Sequence, residues 1–345
     1  MQIIYSLVAL LATSAVEVAA APSSGCGKTP TTLKNGKNTI DVNGVPRQFI
    51  LNLPSNYDKT KPYRVIFTFH ATGGSANGTA KGYDGLLSRA GGTSILVSPQ
   101  GQVPTAEGGT STGIMGMAAK SMTGWWRTGG RHGPQDLNFV DKMVEAIDAD
   151  LCVDTRLRFA TGFSFGGVMS YSLACARADK FRAVSAQSGA NFDVVIAGMS
   201  KQSQPKQSKG KQAAPKAPGA CKKTDSFSQS YGGIDPSKFL DQMLLGKKQP
   251  GSPFVCGNKP IAFMGSMGIC DGWIEYGRQA RDEFLKINGC KPKQVQPPTE
   301  GSKQRVQTTY ECGNDTPVVW AEFDGAHAPT REGEAATWEF FSQFK

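Results

Sequence analysis

A serine, a histidine and an aspartate in this chain are spaced so that together they could transfer an acyl group. Gly162-Phe163-Ser164-Phe165-Gly166 is the G-x-S-x-G pattern of a serine on a sharp strand-to-helix turn. The pentapeptide alone also occurs as an ordinary Gly-rich turn. Here the apolar run 158–163 before it and the small and apolar residues 165–176 after it supply the strand and helix that such an elbow needs. A neutral serine is a poor nucleophile, so it needs a base within hydrogen-bond reach and a group to orient that base. The chain has three histidines, His70, His132 and His327. In this arrangement the base comes last, in the order serine, acid, histidine. Only His327 follows Ser164, in a loop directly after the last predicted strand. The acid is expected beyond the strand at 261–266, which points to Asp271. Asp324 competes, but three residues from His327 it is expected to shape that loop through a local backbone hydrogen bond.

Acyl transfer also needs donors for the developing oxyanion. The backbone N–H of Phe165, just after the nucleophile, is one expectation. The other is Ala71 or Thr72, in the loop after an early central strand. His70, at the end of that strand, is expected to support the loop. Trp125, Trp126, Phe163 and Trp273 could line a pocket that accepts an aromatic acyl group, although aromatic residues in such positions also fill cores.

The elements that must hold these groups alternate along the chain. Residues 38–42 and 47–53 around Asn43-Gly44 read as a hairpin. Strands are expected at 63–70, 94–99, 158–163, 183–189, 261–266, 304–310 and 317–323. Helices are expected at 136–149, after the elbow, at 275–288 and at 335–344. Strands alternating with helices imply a mainly parallel sheet with helices on both faces. The expected fold is one α/β-hydrolase domain over residues 21–345.

Composition limits the setting. Residues 3–16 are almost wholly apolar, and Val18-Ala19-Ala20 before Ala21-Pro22 has the small-residue pattern of a signal-peptidase site. The apolar stretch is too short for a membrane anchor and is broken by Thr13, Ser14 and Glu17. A cleaved signal at 1–20 and a secreted, extracellular protein without a membrane segment are therefore expected. Eight cysteines after that point fit an oxidising compartment. Of their possible pairings Cys290–Cys312 is singled out, because the two flank a turn between a helix and a strand; Cys221 and Cys256 could close an insertion. The sequons at Asn77 and Asn314 are compatible with secretion.

The net charge of +10 invites a nucleic-acid partner. Seven lysines, however, fall within residues 201–223, which hold no acid and no aromatic residue. That is the composition of a solvated loop and not of a base-stacking surface, so no nucleic-acid partner is expected. The loop lies in a basic, low-complexity insertion spanning about 192–259, where acidic wall polysaccharide would be an electrostatically suitable contact.

With these residues in place, the chain resembles the secreted fungal feruloyl esterases of the type C and D group, within carbohydrate esterase family 1. The likeness rests on Gly25-Cys26-Gly27-Lys28-Thr29-Pro30, the block 150–155, the elbow 160–167 and the block 173–179. It extends through Asn288-Gly289-Cys290, Pro317-Val318-Val319-Trp320-Ala321 and Asp324-Gly325-Ala326-His327. The resemblance implies a triad of Ser164, Asp271 and His327, hydroxycinnamoyl esters of plant cell-wall polysaccharide as substrates, and no cofactor; no residues are assigned to a metal. The insertion sets this chain apart, because relatives connect almost directly from the equivalent of Asn191 to the strand at 261. Acetylxylan esterase and polyhydroxyalkanoate depolymerase are the neighbouring alternatives. A catalytically impaired wall-binding protein is the alternative from another class.

Overall fold

The computed structural model describes residues 20–83, 85–102, 125, 135–191, 256–313 and 315–345. Nine strands form one sheet in the order β1-β2-β4-β3-β5-β6-β7-β9-β8. β1 (Gly36–Val42) and β2 (Val45–Asn52) are the expected hairpin. Its turn places Asn43 at φ 56° and Gly44 at φ 81°, the left-handed pair that a tight two-residue hairpin requires. β2 pairs antiparallel with β4 (Ser94–Pro99). From there β4, β3 (Tyr63–Phe69), β5 (Val153–Phe163), β6 (Ala183–Gln187), β7 (Ala262–Gly268) and β9 (Val318–Phe323) run parallel. β8 (Arg305–Tyr310) closes the far edge antiparallel to β9.

Both faces of the sheet are covered, and the strands show it by a period of two. Val65, Phe67, Ile95, Val97, Val184, Phe263 and Trp320 belong to one core, with Phe139, Met143, Val168 and Phe284. These come from α3 (Gln135–Asp150), α4 (Phe165–Ala176) and α5 (Ile274–Ile287). The alternate residues Ile66, Leu96, Ala183, Ala262, Met264 and Val319 form a second core with Leu86, Ala90, Phe340 and Phe341. The helices on that side are α2 (Leu86–Ala90) and α6 (Arg331–Ser342). Strands buried on both faces read as continuous apolar runs, which is why 63–69 and 94–97 carry so few charges.

The observed elements differ from expectation at several points, among them β5, which begins at Val153 and not at 158. Helix α6 starts at Arg331, four residues before the expected start. Thr330 caps it by accepting the N–H of Gly333, and Glu332 and Glu334 occupy its first turn, where the helix dipole favours acids. The short helices α1 (Ala76–Ala80) and α2 carry too few turns to leave a periodic pattern in the sequence. The insertion expected at 192–259 lies outside the described residues up to 255. Its end does not: Cys256 is bonded to Cys175 of α4, and Gly257 donates its N–H to the Cys175 carbonyl. This corrects the suggested Cys221–Cys256 pair. Sequence spacing could not reveal that helix α4 presents a cysteine to the returning chain. Cys26–Cys152 ties the amino-terminal segment to the start of β5, and Cys290–Cys312 is the expected pair.

Candidate active site

Ser164 stands between β5 and α4 with φ 56° and ψ −120°. This backbone conformation is strained for a residue with a side chain and costs on the order of 1–3 kcal/mol. Glycines make the sharp turn possible. A Cβ on Gly162 would lie 2.4 Å from the Gly166 backbone, and one on Gly166 would lie 2.0 Å from the Phe69 carbonyl oxygen. The Ser164 N–H is held by the Gln187 carbonyl at 2.9 Å, and its own carbonyl accepts the first helical bond, from Val168.

Three predicted side chains meet in one line. The Ser164 hydroxyl and His327 Nε2 are 2.8 Å apart, and His327 Nδ1 is 2.7 Å from Asp271 Oδ2. All three residues are at most 5% exposed. A carboxylate accepts at Nδ1, so the ring proton sits there and Nε2 presents its lone pair to the serine hydroxyl.

Two loops bring histidine and acid together, and their closeness is set by backbone pairing beyond the strand ends. Ile269 donates to the Phe323 carbonyl and Cys270 to the Gly325 carbonyl, both at 2.9 Å. A Cβ on Gly268 would lie 2.3 Å from the Gly325 oxygen, so only glycine permits this approach. Asp271 is then turned inward by the N–H of Trp273, which donates to its Oδ1 at 2.9 Å. Asp324 faces another way. Its carboxylate accepts the Lys303 N–H at 2.7 Å, so it joins the histidine loop to the segment leading into β8 and not to a bond within its own loop.

The loop after β3 is braced by side chains that orient its peptide planes. His70 Nδ1–H donates to the Ala71 carbonyl at 2.8 Å, and Nε2 accepts the Gly101 N–H at 2.9 Å. In a trans peptide the C=O and N–H point in opposite directions, so the His70 bond to the Ala71 carbonyl also aims the Thr72 N–H. Trp125 does the same one residue earlier, by donating its indole N–H to the His70 carbonyl at 2.8 Å, which aims the Ala71 N–H. Burial pushes the His70 pKa down to about 4, so the imidazole is neutral and can accept from Gly101. This loop begins directly beside the elbow, since the Gly166 position is in contact with the Phe69 and His70 carbonyls. Phe165 opens helix α4, whose amino-terminal end favours negative charge.

Three of the aromatic residues assigned to a pocket, Trp125, Phe163 and Trp273, also make contacts that hold the site together. Trp125 is 2% exposed and packs on Phe69 and His70, with ring centroids 5.1 and 4.7 Å apart. Trp273 is buried edge-on against the His327 ring at 5.1 Å, and Phe163 meets the same ring at 5.0 Å. The catalytic-type imidazole is therefore packed against two aromatic rings, a role that spacing alone did not suggest. Trp126 lies outside the described residues. Among the described residues, Phe163, Tyr83, Leu86, Gln187, Pro329 and Thr337 line a small crevice beside the elbow. Gln187 was not anticipated. Its position at the end of the strand beside the elbow is the signal that could have found it.

Comparison with known proteins agrees with this geometry. The family described as "Putative esterase" matches residues 42–215. The chain is 37% identical to the Aspergillus terreus protein named "Probable feruloyl esterase C", with 96% of this chain and 94% of the relative covered. It is 32% identical to "Feruloyl esterase D" of Neurospora crassa, covering 98% and 96%. Among solved structures, an acetyl xylan esterase from Aspergillus awamori shares the fold with a TM-score of 0.51 at 15% identity, covering 89% of this chain and 100% of that one. The sheet, the elbow and these relatives make it an α/β-hydrolase, and the chain belongs to the esterase family, in the group that holds the fungal feruloyl esterases C and D.

Proposed function

We propose that the chain is a serine esterase that hydrolyses feruloyl and related hydroxycinnamoyl esters of plant cell-wall polysaccharide through an acyl-enzyme. The observation that carries this is the unbroken hydrogen-bonded line from Ser164 through His327 to Asp271 at a strained elbow, in a chain whose relatives are named feruloyl esterases. Ser164 Oγ attacks the ester carbonyl while its proton passes to His327 Nε2. Asp271 holds the Nδ1–H and stabilises the imidazolium that forms. The oxyanion accepts the Phe165 N–H and an N–H from Ala71 or Thr72. Collapse breaks the bond to the sugar oxygen, which takes the proton from Nε2. Water then repeats the sequence and releases the hydroxycinnamic acid.

Residues 21–345 act as the catalytic domain of a secreted protein after loss of residues 1–20. Disulfides Cys26–Cys152, Cys175–Cys256 and Cys290–Cys312 support an oxidising compartment. Among the described residues no helix is long and apolar enough to cross a membrane.

The test is turnover of methyl ferulate, 4-nitrophenyl acetate and a short-chain polyester by wild type and Ser164→Ala. Methyl ferulate should be cleaved efficiently by wild type, and Ser164→Ala should lose several orders of magnitude on it while remaining folded. Faster cleavage of the acetyl ester or the polyester would replace the substrate class. Absence of turnover by a folded wild type would replace the enzyme reading with a wall-binding role.

A further inference from the structure

The chain enters its fold at residues 20–26, and this segment is anchored along the start of β5. The Ala21 carbonyl accepts both the N–H and the hydroxyl of Thr155, at 2.9 and 3.1 Å. Pro22 bridges antiparallel to Asp154. Ser23 donates its N–H to the Val153 carbonyl at 2.9 Å and its hydroxyl to the Leu151 carbonyl at 2.6 Å, and the Cys26–Cys152 disulfide follows. The Ala21 nitrogen points at Asp154 Oδ1, 3.3 Å away.

Asp154 is 3% exposed. Its Oδ2 pairs with Arg156 Nη2 at 2.9 Å, and Oδ1 also accepts from the Arg156 N–H and Nε. Arg64 of β3 acts on the same carboxylate through space. Arg156 is itself partly solvated, with its side chain 30% exposed. A buried carboxylate gains more from a charged donor than from the neutral peptide N–H that an uninterrupted chain offers at this place.

Immediately before this nitrogen stand Val18 and Ala20, small or short apolar residues three positions and one position ahead of the Ala20–Ala21 bond. Ala20 is exposed, while Ala21, Ser23 and Gly25 are hydrogen-bonded through their backbones to the body of the fold. We propose that a signal peptidase hydrolyses the Ala20–Ala21 bond and that the new Ala21 α-ammonium docks as an ion pair on Asp154. Water supplies hydroxyl to the Ala20 carbonyl carbon and hydrogen to the Ala21 nitrogen, which takes up one further proton at neutral pH. Asp154 is then a receptor built for the mature amino terminus, at the opposite end of β5 from Ser164.

The experiment uses protein secreted from its full-length precursor. Mass spectrometry of the intact chain and amino-terminal sequencing should give Ala21 as the first residue. Reductive 13C-dimethylation followed by NMR titration should show the α-amine protonated to a pH about one unit above the ordinary range of about 7.7–8.0. In Asp154→Asn it should return to that range. A variant with one extra glycine before Ala21 keeps every side chain but moves the charge. It should melt about 2 °C lower than the Ala21 form, a difference that should vanish in the Asp154→Asn background. A different first residue, an ordinary titration of the α-amine in the wild-type protein, or equal melting of the extended and native forms overturns the proposal.

Discussion

Replacing Asp271 by asparagine tests the role of the acid without changing its shape. In the structure Oδ1 accepts the Trp273 N–H and Oδ2 accepts from His327 Nδ1. An asparagine must keep its oxygen toward the Trp273 N–H, because two facing donors would leave a buried N–H without an acceptor. Its amide nitrogen then occupies the Oδ2 position and donates to Nδ1. The imidazole proton is driven to Nε2, where it points at the Ser164 hydroxyl and removes the lone pair that should take the serine proton. The site also loses the negative charge that stabilises an imidazolium in a position where His327 is 5% exposed. Together these effects should lower kcat by about 10³- to 10⁴-fold, or about 4–5 kcal/mol at 1.36 kcal/mol per tenfold. The melting temperature should hardly move, since volume and both hydrogen bonds are retained, the one to Nδ1 with its direction reversed. The assay is steady-state release of ferulic acid from methyl ferulate, with KM and kcat separated and folding checked by circular dichroism. An Asp271→Asn enzyme that folds and keeps kcat within tenfold of wild type would refute the assignment of the acid.

Further outcomes rest on other contacts. His70, with a folded pKa near 4, stays neutral while an unfolded histidine begins to bind a proton near 6.5. The unfolded state therefore binds more protons between those values, and stability is lost as pH falls from about 6.5 to about 4, by about 3 kcal/mol in total. Denaturant midpoints across that window should show a smaller slope in His70→Gln. Gly166→Ala forces a Cβ to within 2.0 Å of the Phe69 oxygen, and should cost about 1–3 kcal/mol of stability and a larger share of activity, as melting and turnover would show. Trp273→Ala removes a ring packed against His327 and should reduce kcat about ten- to hundredfold with little change in KM; a selective rise in KM would make Trp273 a substrate wall. Replacing Cys175 and Cys256 together with alanine, which opens a link across 81 residues, should destabilise the fold by about 2–4 kcal/mol in urea titration.

Much of this protein can be read along the chain because its signals are local. Continuous apolar runs at 63–69 and 94–97 specify strands buried on both faces, and Gly162-Phe163-Ser164-Phe165-Gly166 specifies an elbow, since few other sequences allow that backbone. Scarcity did the rest for the base: one histidine follows Ser164. The contacts that complete the site are not local, and no spacing rule contains them. Asp271 and His327 are 56 residues apart, and they meet because β7 and β9 are neighbours in the sheet and Gly268 lets the two loops touch. Trp125 and Trp273 look alike in sequence as possible pocket walls. The fold places one under the loop of Ala71 and Thr72 and the other against the His327 ring. Cys256 could not be paired from spacing, because its partner lies on a helix that the chain left 81 residues earlier. The sequence by itself determined which groups could react and which strands would be buried, through side-chain chemistry and periodicity. The tertiary structure decided which of them face one another, because that depends on strand order and on backbone approach distances set by residues far apart in the chain.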